Sequence, residues 1–154
     1  MADLVYNIAK GRVAELYNRV DLGDPSTARL FVIPIDAGAA TDATLKDCAD
    51  FAAVITAGAT ERTTGGWNRK TLTAADLAAF AADNTNDRVD VDIPDQTWTA
   101  VTTGAVTDLV ICYAAVTSPT NAQLVPLTLH DFAITPDGSD VVAQIAATGF
   151  YRAS

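Results

Sequence analysis

The apolar and polar positions of this chain follow a helical period in its first third and a strand period afterwards. Residues 3–20 place many apolar side chains three or four positions apart, which predicts an amphipathic helix capped by Asp3. Residues 44–55 show the same spacing, begin with a capping-box-like Thr44 and precede Gly58, a suitable helix stop. We therefore predict two short helices, both in the N-terminal third of the chain.

Strand-like runs separated by turn residues occupy most of the remaining sequence. Residues 88–93 alternate strictly, with Val89, Val91 and Ile93 facing one way and charged residues facing the other. The other predicted strands are residues 29–35, 67–73, 108–116 and 124–132, followed by a last strand or strand pair at 141–145 and 148–152. Pro34 indicates that the first of these runs lies at a sheet edge or ends there.

Short strands at turn-punctuated intervals are typical of antiparallel architectures. We therefore predict a mainly β fold of the α+β class, built as an antiparallel β-sandwich or an open barrel. The chain length is that of one domain, so residues 1–154 are predicted to form a single unit. Within it, residues 1–10 are predicted to form an extended or helical contact arm. Residues 74–82 stay ambiguous, because a helix-like composition leads directly into a strong turn.

The composition changes this picture in two ways. Aspartate outnumbers glutamate by 17 to 2, and because aspartate favours caps and turns, the bias supports a turn-rich β fold. The net charge of −9 disfavours direct binding of nucleic acid or of an anionic membrane surface, since both require clustered Lys and Arg. The nearest approach to a basic cluster is the pair Arg69 and Lys70.

The two cysteines and the N-terminus indicate the compartment in which the chain is made. Cys48 and Cys112 lie far apart among small or apolar residues, which predicts two buried free thiols and no disulfide. Residues 1–10 are polar and lack the pattern of a signal peptide, and no apolar run is long enough to span a bilayer. We expect the protein to be made in a reducing cytoplasm.

Few residues carry reactive chemistry. His130 is the single histidine, and strand alternation places it on one face with Thr128 and Phe132. The neighbouring Asp131 faces the opposite side, so we do not expect it to orient the imidazole ring. Two cysteines and one histidine do not give the spacing of a zinc site. The sequence therefore predicts no catalytic residue and no cofactor.

Asp87, Asp90 and Asp92 form the one acidic cluster of the sequence. Asp90 and Asp92 share a face of the predicted strand, and with a loop carboxylate they would offer oxygen ligands to Ca²⁺. A solvated polar strand face is the simpler interpretation, because the spacing and the glycine of an EF-hand loop are absent. No metal site is predicted.

The remaining candidates for function are apolar and aromatic residues that would contact another protein. Buried aromatic anchors contribute most of the binding energy of many interfaces. Core packing is the alternative role for such residues, and it is the one we predict for Trp98. The candidate interface residues are Leu4, Tyr6, Trp67, Phe150 and Tyr151.

The order of the segments resembles a widespread family of small structural proteins of tailed bacteriophages. The resemblance covers nearly the whole chain, and its most specific part is residues 87–98 (DRVDVDIPDQTW) together with 109–113 (LVICY). It also includes RLFVIPI, ERTTGGW, LTLHDF and the closing segments VVAQI and TGFYR. Trp67 stands where this family usually has tyrosine, and Ala133 where it usually has glycine.

The resemblance implies a virion protein without catalytic residues. The leading expectation is a capsid decoration (cement) protein that lies on the capsid exterior, after synthesis in the host cytoplasm. Its expected partners are the major capsid protein and further copies of itself, as a homotrimer, with no contact to nucleic acid or membrane. The alternatives are a minor tail or head–tail junction protein, and a carbohydrate- or receptor-binding module in which Trp67 and Tyr151 stack on sugars.

Overall fold

A computed structural model describes residues 1–154, and β-strands are its main regular structure. Strands cover 31% of the chain and helices 18%, and the paired strands of every sheet run antiparallel. These features confirm the predicted mainly β, α+β class. The buried apolar residues form one contiguous core. None of the helices has the length and apolar character required to cross a bilayer.

Ten strands, three α-helices and three short 3-10 turns follow one another along the chain. The strands are β1 (Leu4–Val5), β2 (Arg29–Asp36), β3 (Thr60–Glu61), β4 (Lys70–Leu72), β5 (Val89–Val91), β6 (Gln96–Trp98), β7 (Val106–Ala114), β8 (Val125–Ile134), β9 (Val141–Ala143) and β10 (Tyr151–Ala153). The helices are α1 (Val13–Asp21), α2 (Asp42–Leu45) and α3 (Phe51–Thr56), and the 3-10 turns are Asn7–Ala9, Ala74–Asp76 and Asn121–Gln123.

The main sheet has the strand order β1-β8-β7-β2-β3, with β4 also paired to β2. Two separate two-stranded sheets are formed by β5 with β10 and by β6 with β9. The two closing segments therefore pair with strands from the middle of the chain and not with each other.

The central strands β2 and β7 are buried on both sides of the sheet. The register places Val32 opposite Ile111, and because side chains alternate, Val32 shares a face with Leu109. We call this the first face; the small sheets cover it, so sheets pack face to face as in the predicted sandwich. The second face carries Val110 and Cys112 and is covered by the N-terminal segment, α2 and α3.

Pro34 lies in an interior strand, so the predicted edge position is wrong. The residue is paired with Leu109 of β7, and its carbonyl accepts a hydrogen bond from the Arg62 N–H at 2.9 Å on the other side. The N and O atoms of a strand residue point in the same direction, so the missing N–H of proline also faces that side. There β3 ends opposite Ile35 and β4 begins opposite Val32, so neither strand pairs with Pro34. The proline therefore costs the sheet no hydrogen bond.

The predicted helix at residues 3–20 begins only at Val13. Gly11 adopts the left-handed conformation, with φ of +75°, and interrupts the helical path. Before it, β1 pairs with Leu129 and Thr128 of β8, and Asp3 does not cap a helix. Residues 1–10 therefore contain an edge strand of the main sheet and one 3-10 turn.

The predicted helix at residues 44–55 is two helices with a break between them. Thr41 caps α2 in a reciprocal capping box with Thr44, so the cap lies three residues earlier than predicted. A new cap, Asp50, accepts the Ala53 N–H at 2.8 Å and starts α3. The chain leaves the helix at Gly58, as predicted, with φ of +113°.

The ambiguous residues 74–82 contain a single 3-10 turn, Ala74–Asp76, and are otherwise irregular. Asp76 accepts hydrogen bonds from the backbone and the hydroxyl of Thr73, both at 2.7 Å. The strand predicted at residues 67–73 is correspondingly short and comprises β4 alone.

Candidate functional site

A cavity of about 280 Å³ lies between the first face of the main sheet and the segments that cover it. Its walls are mostly apolar, and four polar side chains also line it. Buried residues form the floor: Val32, Ile93, Leu109, Ile111 and Ala143. Exposed residues form the mouth: Asp3, Asp131, Gln144 and Ala146. Between them lie the half-buried His130, Phe132, Ile145, Gly149 and Phe150.

His130 is the polar centre of this cavity. Its Nε2 atom lies 2.9 Å from the Thr128 hydroxyl, and its Nδ1 atom lies 3.6 Å from Asp3 Oδ2. The ring meets Phe150 edge-on, with 6.3 Å between the ring centroids. Burial lowers the pKa of His130 below its ordinary value, and the neighbouring Asp3 opposes this shift only in part. The imidazole is therefore uncharged at neutral pH.

Alternation predicted the face of His130 correctly but missed its acidic neighbour. Thr128 contacts the ring and Phe132 lines the same cavity, whereas Asp131 contributes its backbone N–H to Asp3 Oδ1 at 2.8 Å. The acid beside the imidazole is Asp3, which the β1–β8 pairing brings from the far end of the chain. A local pattern could not reveal this contact, because it depends on the topology of the sheet.

The order Asp3, His130, Thr128 has the residue types of a nucleophilic triad but not its geometry. Thr128 is only 2% exposed and does not line the cavity, so a substrate in the cavity does not reach its hydroxyl. The distance of 3.6 Å between His130 and Asp3 exceeds that of a hydrogen bond. The arrangement fits an anchor for the N-terminal strand and a polar part of the cavity wall.

The acidic cluster at residues 87–92 does not converge on a common point. Asp90 is paired with Arg152 at 2.6 Å and with Arg88 at 2.9 Å, and the hydrogen bond from Arg152 is the main cause that lowers the pKa of Asp90. Asp92 accepts the N–H of Ile93 at 2.9 Å, and burial raises its pKa. The structure contains no group of three or more potential metal ligands.

Two of the predicted interface residues belong to the core. Trp67 is 2% exposed, packs on Trp98 with 5.2 Å between ring centroids, and donates its indole N–H to the Gly104 carbonyl. Tyr6 is fully buried beneath the second face. Neither residue is free to anchor a partner or to stack on a sugar. Trp98 is buried as predicted, and so are the two free thiols Cys48 and Cys112.

The other three predicted interface residues are half-buried. Leu4 pairs with Leu129 of β8, one residue along the strand from the cavity residue His130. Phe150 lies in the cavity wall between His130 and Tyr17. Tyr151 begins β10, opposite Val91.

Comparison of the chain with protein-family models, with curated proteins and with solved structures gives no match. Function is therefore inferred from the sequence pattern and from the geometry described above.

Proposed function

We propose that this chain is a structural protein of a tailed bacteriophage, a decoration protein that binds and stabilises the assembled head. The observation that carries the proposal is the order of sequence segments, above all residues 87–98 followed by 109–113. These segments resemble those of small virion proteins in type and in succession. The mainly antiparallel β fold is compatible with that resemblance.

The chemistry of the cavity supports a binding role over a catalytic one. The hydroxyl beside His130 belongs to the buried Thr128, and the carboxylates of residues 87–92 are separated or paired with arginines. A carbohydrate-binding role loses one of its two stacking residues, since Trp67 lies in the core.

The proposed mechanism is thermodynamic. A protein that binds the assembled shell, and not its separated subunits, stabilises the shell by mass action. Many copies that bind across the seams between major capsid subunits add avidity, and a homotrimer would match a three-fold position. The net charge of −9 favours a place on the outer surface, away from packaged DNA.

The position and copy number of the protein in whole particles test this proposal. We expect an electron-microscopy map of the virion to show hundreds of copies on the outside of the head. Six or twelve copies at the tail or at the head–tail junction would overturn the head assignment in favour of the tail alternative. Absence from purified virions would overturn the proposal altogether.

Shell stability supplies a second measurement. Shells that lack the protein should gain thermal stability when the purified chain is added, and the gain should saturate at a fixed number of copies. Shells disassembled before the addition serve as the control and should bind none. Equal binding to disassembled subunits would contradict the mass-action mechanism.

A further inference from the structure

One carboxylate oxygen at the mouth of the cavity lacks a partner within the protein. Asp3 Oδ1 accepts the Asp131 N–H at 2.8 Å, whereas no donor lies within hydrogen-bond distance of Asp3 Oδ2. His130 Nδ1 lies 3.6 Å from this oxygen. The Asp3 side chain is 68% exposed, so water solvates this oxygen, and no lysine or arginine of the cavity lining competes for it.

The shape and walls of the cavity restrict what can occupy it. Its volume of about 280 Å³ is near the lower limit of ligand pockets, so the ligand has few heavy atoms. Ile111, Phe132 and Phe150 offer apolar contact, which suits an alkyl chain and not a hydrated metal ion. Aromatic ring faces also attract organic cations. An anion is disfavoured by the carboxylate of Asp3.

We propose that this cavity binds a primary alkylammonium group, with the ammonium donating to Asp3 Oδ2 and the alkyl chain packed against Phe132 and Phe150. His130 is uncharged at neutral pH and adds no competing positive charge. The inference does not depend on the proposed role in a phage particle. A free amine and the lysine side chain of a partner protein share this chemistry, and the experiment below distinguishes these sources.

The test is a titration of the full chain with n-butylammonium, followed by NMR chemical shifts. We expect saturable shifts at the His130 ring and at Phe150, and weaker binding of the uncharged n-butanol by at least about tenfold, because the alcohol forms no charge-assisted hydrogen bond with Asp3. Equal affinity for n-butanol, or the absence of saturable shifts with n-butylammonium, would overturn the proposal.

The variant Asp3→Asn removes the charge and keeps an oxygen that accepts the Asp131 N–H. We expect the affinity for n-butylammonium to fall at least about tenfold. The matched control is Asp87→Asn, the same change at an exposed residue outside the cavity, whose φ of +52° asparagine also adopts. Wild-type affinity in a folded Asp3→Asn variant would overturn the assignment of the ammonium to Asp3.

A bulky substitution at the cavity mouth tests the location of the binding site independently. Ala146 is exposed at the cavity mouth, so Ala146→Trp narrows the entrance without altering the core. We expect this variant to keep the wild-type unfolding temperature and to lose n-butylammonium binding. A blocked variant that binds as well as wild type would overturn the location of the site.

A lysine derivative with a blocked backbone separates the two sources of the ligand. Saturable binding of Nα-acetyl-lysine N-methylamide, with affinity like that of n-butylammonium, supports a lysine side chain presented by a partner protein. Binding of n-butylammonium alone supports a free amine. Failure of both ligands would overturn the proposal.

Discussion

Asp108 is the residue whose burial has the clearest energetic consequence. Its side chain is fully buried in β7, its Oδ2 accepts the Thr107 hydroxyl at 2.6 Å, and its Oδ1 has no hydrogen bond. Burial is the largest cause that raises the pKa of Asp108, opposed by the Thr107 hydrogen bond and by the N-terminal amine 3.9 Å away. The folded state therefore favours the protonated carboxyl more than the unfolded state does.

This shift predicts that Asp108→Asn stabilises the protein at neutral pH. A raised pKa in the folded state means that the wild-type side chain stabilises the fold most below its unfolded pKa, about 3.9. That contribution is lost as the pH rises through the folded pKa. Asparagine keeps an acceptor for Thr107 and carries no charge, so we expect it to raise the free energy of unfolding by about 1 kcal/mol at neutral pH. Urea unfolding measures this difference.

The pH dependence provides the internal control for Asp108. The advantage of Asp108→Asn should disappear near pH 3, where the wild-type carboxyl is protonated in both states. His130 titrates in both proteins, so its contribution cancels in the difference between them. Asp87→Asn is the matched surface variant, because Asp87 is exposed and asparagine also adopts its φ of +52°, and it should change the stability little. An Asp108→Asn variant that is less stable than wild type at neutral pH would contradict this account.

At the scale of the elements, long apolar runs were predictable and their interruptions were not. β2, β7 and β8 coincide closely with the runs predicted for them. β2 and β7 are buried on both faces, and such strands read as continuous apolar sequence. The two helical predictions failed at backbone features that periodicity does not detect: the left-handed Gly11 and the second cap, Asp50. The signal for that cap is an aspartate directly before an apolar residue, Asp50 before Phe51. The helical spacing that runs through residues 44–55 obscured this signal.

The pairing of β5 with β10 depends on Gly149, which lies close to the backbone of Val91. Gly149 has a φ of +80°, and a Cβ at this position would overlap the carbonyl oxygen of Val91, which accepts the Phe150 N–H at 3.0 Å. Gly149→Ala should therefore lower the free energy of unfolding by more than the penalty for placing an alanine in the left-handed conformation. We expect a loss of at least about 3 kcal/mol in the free energy of unfolding, measured with urea.

Gly11→Ala is the matched control for Gly149→Ala. Gly11 has nearly the same φ, +75°, but a Cβ there meets no atom within 4 Å. Gly11→Ala should lower the free energy of unfolding by only about 1–2 kcal/mol, the penalty for a left-handed alanine. Equal losses in the two variants would show that the approach to Val91 carries no extra cost.

At the scale of the whole molecule, the sequence predicted the class of the fold but not the pairing that creates its cavity. Alternation placed Val91 and Ile93 on a buried face, and both are buried. It did not indicate that β5 pairs with β10 and β6 with β9, because each pairing joins segments dozens of residues apart. The cavity exists only where those small sheets meet β8, so its lining and the contact of Asp3 with His130 follow from topology.

Tyr17 connects three parts of this architecture through one hydroxyl group. The Tyr17 oxygen lies 2.7 Å from the carbonyl oxygens of both Ala78 and Asp92, so α1 holds the irregular segment after β4 and the end of β5. Burial, the largest cause, raises the pKa of Tyr17 to about 12. The phenolate is therefore disfavoured in the folded state, and stability from this group is lost as the pH rises from the unfolded pKa of about 10.

Tyr17→Phe should therefore loosen the molecule locally as well as destabilise it. We expect a loss of about 1–2 kcal/mol at neutral pH, and faster hydrogen exchange across residues 77–92. Between about pH 10 and 12 the wild type should lose stability that the variant does not lose. The difference in free energy of unfolding between the two proteins should therefore become smaller over this pH range. Tyr113→Phe is the control, because the Tyr113 hydroxyl makes no hydrogen bond within the protein and its removal should change neither quantity. Unchanged exchange across residues 77–92 in Tyr17→Phe would show that packing alone holds this segment, since α1 would then keep its neighbours without the hydroxyl.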